Sequence, residues 1–117
     1  MLTTKGPNLS QGNTYLLNYA IKEPDGTEFS LLGTSQLKYQ IAKKTFTVPV
    51  HSITLTDPEL SLIDPTMGLV DIKIPASVLN AIKPGKYIHE LWQVDSSGNS
   101  ITIVSEEILI IGKLIKE

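Results

Sequence analysis

From Thr14 onward the chain alternates in twos. Tyr15, Leu17, Tyr19 and Ile21 take turns with Leu16, Asn18, Ala20 and Lys22, and the run stops at Glu23-Pro24-Asp25-Gly26. Successive side chains of an extended strand point to opposite faces, so an apolar residue at every second position marks a strand with one buried side. Proline presets one turn angle and glycine accepts positive φ, so Pro24 to Gly26 ends this strand in a tight turn. The alternation returns in Leu37, Tyr39 and Ile41, in Phe46, Val48 and Val50, and in Val70, Ile72 and Ile74. It returns again from Lys86 to Asp95, with Tyr87, His89 and Leu91 on one face and Ile88, Glu90, Trp92 and Val94 on the other. Pro49 cannot donate to a ladder, which places its segment at an edge or a bulge. Ser96-Ser97-Gly98-Asn99 reads as a hairpin turn into the last strand region, from Ile101 towards Leu114.

One stretch has helical spacing. Val78, Leu79 and Ile82 share a face, and Pro84-Gly85 halts the segment, so a short helix is expected near 76–82. Residues 1–13 are mostly polar or turn-forming and read as an irregular N-terminal arm, leaving 14–117 as a single domain. The length of 117 residues fits one domain, and 41% hydrophobic residues are enough for one core. Six or seven short strands with one helical turn predict an all-β fold, an antiparallel immunoglobulin-like β-sandwich.

Candidate chemistry is sparse. There is no cysteine, which rules out disulfides and thiolate sites. The net charge is −2 and the ten basic residues are all lysine, against the basic excess and arginines of a nucleic-acid binder. The longest apolar run, Ile108 to Ile111, is too short to cross a membrane, and the polar start is not read as a secretory signal. The only histidines, His51 and His89, lie on different strands, and His89 and Glu90 point to opposite faces, so no metal site is assigned. Asp57, Glu59, Asp64, Asp25 and Glu28 sit near turns, where acids ordinarily bond the local backbone. Neither a nucleophile elbow nor a phosphate-binding glycine loop is found. The expectation is a protein without catalytic residues, metal or cofactor. Trp92 and Tyr87 fall on opposite faces, so they do not form a sugar-stacking platform together, and Trp92 is assigned to the core or a subunit contact.

The carboxy-terminal run Ile108-Leu109-Ile110-Ile111, with Leu114-Ile115, is apolar on both faces. A sandwich strand normally shows one face to water, so the second apolar face needs a cover, either internal or from a neighbouring subunit. Leu60, Leu62 and Ile63, apolar residues in an apparent loop, raise the same question. Ile108, Ile110, Leu114 and Ile115, with Leu60, Leu62 and Ile63, are therefore nominated as a subunit interface.

Several segments in order also carry a resemblance. They are Gly12-Asn13-Thr14-Tyr15, Lys22-Glu23-Pro24-Asp25-Gly26-Thr27, Leu55-Thr56-Asp57-Pro58, Gly68 to Ala76, Ile82-Lys83-Pro84-Gly85-Lys86-Tyr87 and Asp95-Ser96-Ser97-Gly98-Asn99. This succession resembles tailed-phage structural β-sandwich proteins, including the amino-terminal domain of upper baseplate proteins. Two departures stand out: a longer segment from Glu59 to Thr66, and His89 where an aromatic is common. The resemblance implies a virion component of baseplate, tail, neck or capsid surface, made in the host cytoplasm. Such a component acts by self-association and by docking on other virion proteins, as a homo-oligomer without nucleic acid or membrane partners. A carbohydrate- or receptor-binding sandwich module is the alternative.

Overall fold

The computed structural model describes residues 4–23, 25–27, 30–31, 34–43, 48–55, 57–64, 66–95 and 97–112. Along these residues run β1 (Thr4–Ser10), β2 (Tyr15–Ala20), β3 (Thr34–Ala42), β4 (His51–Thr54), β5 (Leu60–Asp64) and β6 (Leu69–Ile74). They are followed by a short helix α1 (Ala76–Asn80), β7 (Gly85–Asp95) and β8 (Ser100–Ile111). The strands form a five-stranded sheet ordered β1-β8-β7-β3-β4 and a three-stranded sheet ordered β2-β6-β5. The connections β2–β3, β4–β5 and β6–β7 each pass from one sheet to the other. All pairings are antiparallel except that of β1, which lies parallel to β8. The three-stranded sheet holds the B, E and D places of a variable-type immunoglobulin sandwich, and β8-β7-β3-β4 the G, F, C and C′ places. The chain folds as an immunoglobulin-like β-sandwich.

The period-two pattern explains the packing. Leu37, Tyr39 and Ile41 of β3, Tyr87, His89 and Leu91 of β7, and Ile108 and Ile110 of β8 are buried; from the other sheet come Val70, Ile72 and Ile74 of β6. Leu79 of α1 and Ile82 join the same core. The helix is held by the loop before β2. Gln11 donates its side-chain amide to the Leu79 and Ile82 carbonyls at 3.2 and 2.8 Å, and the Thr14 hydroxyl accepts from the Ala76 amide at 3.0 Å. The Leu79 carbonyl also accepts from the Ile82 amide at 3.1 Å, and Gln11 adds a side-chain donor at the helix end, where intrahelical partners run out. At the β7–β8 hairpin, Gly98 takes φ 87°, and the Asp95 carboxylate accepts from the amides of Ser97 and Asn99 at 2.9 Å each.

Four expectations need correction or refinement. Residues 1–13 are not an irregular arm throughout, because Thr4–Ser10 forms β1. This edge strand hid its nature by sending one large apolar side chain, Leu9, into the core. Pro7 falls where the β1–β8 register shifts, a place that tolerates a missing ladder donor. Leu60 to Asp64, read as a loop, is β5, antiparallel to β6 with a shift between Leu62 and Asp64. The strand expected around Phe46, Val48 and Val50 starts later, at His51; Val48 is exposed and Phe46 lies outside the described residues. β4 ends the five-stranded sheet, but Pro49, on which the reading of an edge or a bulge rested, lies before it. The helix expected near 76–82 covers Ala76–Asn80.

Candidate functional site

The described residues among those nominated as a subunit interface do not share a surface. Ile108 and Ile110 are each 1% exposed and Leu60 2%, all within the core. Leu62 packs against that core half-buried, and Ile63 is exposed. Leu114 and Ile115 lie outside the described residues. Assigning Ile108, Ile110 and Leu60 to an interface is therefore corrected: they are interior. The reason lies in the strand's two faces. Ile108 and Ile110 point into the sandwich, while Leu109 and Ile111 point outward at 38% exposure each. Leu109 stands opposite Lys86 on one side and Asn8 on the other, so its own neighbours in the sheet shade part of it.

The polar chemistry is concentrated inside. His89 of β7, placed by alternation on the face of Tyr87 and Leu91, is 0% exposed. The register places it opposite Ile41 of β3 and opposite Glu106 of β8. Its Nε2 lies 2.7 Å from Glu106 Oε1, and its Nδ1 lies 2.7 Å from the Tyr39 hydroxyl. Tyr19 reaches across from the other sheet and donates to the same Glu106 oxygen at 2.7 Å, with its hydroxyl 3.2 Å from His89 Nε2. The rings of Tyr19 and Tyr39 both meet the imidazole edge-to-face, at centroid distances of 6.2 and 5.4 Å. Two sheets and four strands thus contribute to one hydrogen-bonded chain.

Donor and acceptor counting fixes its protonation pattern. An ionised carboxylate only accepts, so Nε2, at 2.7 Å from it, carries the ring proton. In the neutral imidazole Nδ1 is then an acceptor, and the Tyr39 hydroxyl donates to it. Every member is satisfied with His89 uncharged. Burial holds His89 below the ordinary histidine range, with the Glu106 carboxylate pulling the other way. Burial likewise raises the Tyr19 phenol, helped by Glu106, and the fully buried Tyr39 phenol. Gly6 of β1 makes room for the carboxylate. A Cβ there would stand 2.9 Å from Glu106 Cβ and 3.1 Å from its Oε1. His51 of β4 touches the cluster's rim, edge-on to Tyr39 at 6.5 Å between ring centres, and burial lowers it too.

Sequence reasoning missed this cluster, although a local signal points to it. Tyr87 opens β7 just after Pro84-Gly85, and its hydroxyl donates to the Lys83 carbonyl at 2.6 Å. That is a tyrosine corner, which in disulfide-linked members of this fold stands two residues before a bridging cysteine. Two residues after Tyr87 comes His89. The histidine takes the half-bridge position on β7, and it is Tyr19 of β2 that meets it from the opposite sheet.

The other candidates have local roles. Asp25 accepts from the Thr27 amide and hydroxyl, Asp64 from those of Thr66, and Asp57 from the Thr54 amide, as turn acids do. Glu28 lies outside the described residues. The Trp92 ring carries the Lys38 ammonium 5.6 Å from its centre, on the outer face of the five-stranded sheet. Tyr87 is buried on the inner face, as the pleat requires.

No protein-family model matches the chain, and no curated protein does. Among solved structures, it is similar to the crystal structure of CopC from Methylosinus trichosporium OB3b, at 11% identity and a TM-score of 0.48, over 98% of this chain and 91% of that one. It is also similar to the V domain of amphioxus IgVJ-C2, at 10% identity and a TM-score of 0.32, over 89% of this chain and 98% of that one. Both likenesses concern the sandwich fold.

Proposed function

We propose that this domain is a structural module of a tailed-phage virion, joining copies of itself and neighbouring virion proteins. The reading begins from the sequence resemblance and draws its physical support from the sheet edges. An edge strand offers unpaired backbone groups to any other strand, and folded proteins blunt that offer with charges, prolines, bulges or short length. Three of the four edges here are blunted. β1 carries Lys5, Pro7 and a register shift; β4 has four residues; β5 has five, ends in Asp64 and is shifted before it. β2 differs. It runs Tyr15–Ala20 without a charge or a proline, pairs with β6 in unbroken register, and exposes Leu16 at 59%. Among the described residues the β2 edge is unguarded, and this observation carries the proposal, because strand addition there extends the three-stranded sheet into a second molecule.

The interior chemistry fits this role. In the interior cluster, His89, Glu106, Tyr19 and Tyr39 spend their hydrogen bonds on one another.

Sedimentation velocity over a concentration series tests the association. The wild-type chain is expected to form dimers or larger species, and Leu16→Lys, which puts a charge on β2, is expected to sediment as a monomer with an unchanged far-ultraviolet spectrum. Mass spectrometry of purified phage particles then tests the assignment to a virion. A wild-type chain that stays monomeric at millimolar concentration, or is absent from particles, refutes the proposal.

A further inference from the structure

We infer that Tyr19, Glu106, His89 and Tyr39 form a lock between the two sheets, and that acid opens it. Tyr19 is the member supplied by the three-stranded sheet; the other three belong to the five-stranded sheet. The chain Tyr19–Glu106–His89–Tyr39 therefore ties β2 to β8, β7 and β3 through three contacts of 2.7 Å. It crosses the interior at the histidine two residues beyond the corner tyrosine, where a covalent bridge stands in disulfide-linked sandwiches.

The lock depends on one vacant lone pair. With His89 neutral, Nδ1 accepts the proton of the Tyr39 hydroxyl. A proton added to the imidazole goes to Nδ1 and turns that acceptor into a donor. The Tyr39 oxygen must then accept where it had donated, and its own proton is left without an acceptor, because Tyr39, 1% exposed, makes no other hydrogen bond among the described residues. The new positive charge is attracted to Glu106, which opposes the opening. That carboxylate is 21% exposed, whereas the imidazole is wholly buried, and burial is the stronger influence on His89.

The groups facing His89 come from each element packed on it. Tyr19 belongs to β2, Tyr39 to β3 and Glu106 to β8; His51 of β4 acts at one remove through the Tyr39 ring. No further charge is needed.

The sign follows from linkage. His89 binds its proton less readily when folded than when unfolded, so the stability it lends is full above the ordinary value of 6.5 and is lost as pH falls towards the lower folded value. In that window the folding equilibrium constant drops by up to tenfold per pH unit for each such histidine. His51 is lowered in the same direction, so it has to be removed from the comparison. The turn acids Asp25, Asp64 and Asp95 are held below the ordinary aspartate value of 3.8 by their local hydrogen bonds and act at lower pH.

Three measurements on the whole chain test the lock. Nitrogen-15 NMR of the wild-type imidazoles is expected to show His89 neutral with its proton on Nε2 at pH 7.5, titrating below 6.5. Urea unfolding of His51→Asn is expected to show up to a tenfold loss of folding constant per unit as pH falls from 6.5. Amide-exchange protection of β2 in Tyr19→Phe at pH 7.5 is expected to fall to the level that wild type shows in acid, at least tenfold, while β3 and β7 keep theirs. The last readout separates a lock from a merely buried histidine, because Tyr19→Phe leaves the imidazole intact. A His89 that titrates at or above 6.5, a His51→Asn stability flat from pH 7.5 to 5, or unchanged β2 protection in Tyr19→Phe each overturns the inference.

Discussion

The interior of this sandwich has two kinds of contact. Around Ile72, Leu37 and Leu91 it is filled with aliphatic side chains that need nothing but each other, each fully buried. Around His89 the same two sheets are joined by hydroxyls, an imidazole and a carboxylate that need specified partners. Aliphatic packing is non-directional and indifferent to pH, and it tolerates substitutions of similar volume. A buried hydrogen-bonded chain is directional, and loses more when one partner is removed than it gained when all were present. The apolar contacts supply most of the stability; the polar ones make it conditional.

That contrast is open to direct attack. Ile72→Ala, in the aliphatic part, is expected to cost about 2–5 kcal/mol in urea unfolding, by the same amount at pH 7.5 and pH 5.5. Equal losses mark the site as free of proton linkage; a loss that grows in acid blurs the distinction between the two regions. Gly6→Ala pushes a methyl group against the Glu106 side chain, whose Cβ would lie 2.9 Å away. Overpacking of this kind costs about 1–3 kcal/mol. Here the expected pH dependence between 7.5 and 5.5 is smaller than in wild type, because displacing Glu106 damages the polar chain before acid does. Tyr87→Phe removes one hydrogen bond, to the Lys83 carbonyl, and is expected to cost about 0.5–1.5 kcal/mol at either pH. A pH-dependent cost at Tyr87 would extend the polar region to the corner.

How much of this was legible in the residues depends on whether a rule of spacing applies. Leu37, Tyr39 and Ile41, or Val70, Ile72 and Ile74, state their burial through alternation, and the structure places them inside. Gly98 and its neighbours state a hairpin, and a hairpin is there. β1 could not be read, because a parallel edge strand held by backbone bonds asks little of its side chains, and Lys5-Gly6-Pro7-Asn8 show no period. β5 was obscured by Ile63, an exposed apolar residue that breaks the alternation of Leu60 and Leu62. The polar cluster was hidden for a different reason. His89 and Glu106 are 17 positions apart and Tyr19 is 70 from His89, so only strand order brings them together. Alternation put His89 on the face of Tyr87 and Leu91, which was already enough to say that it faces inward. The interface assignment failed at Ile108 and Ile110 because an apolar run does not say which of its two faces is the core.

The parallel pairing of β1 with β8 has a bearing on how the molecule comes into being. The earliest strand here takes its place against the latest, about a hundred positions later in the chain, so it has no partner while the intervening segments are being synthesised. Contacts between positions so far apart form slowly. On a ribosome, β1 waits for β8 to emerge, and the glycine that seats Glu106 arrives at the cluster as one of its last parts. Truncation of β8 before Glu106 would therefore leave β1 without its partner, while the rest of β8 keeps its pairing with β7.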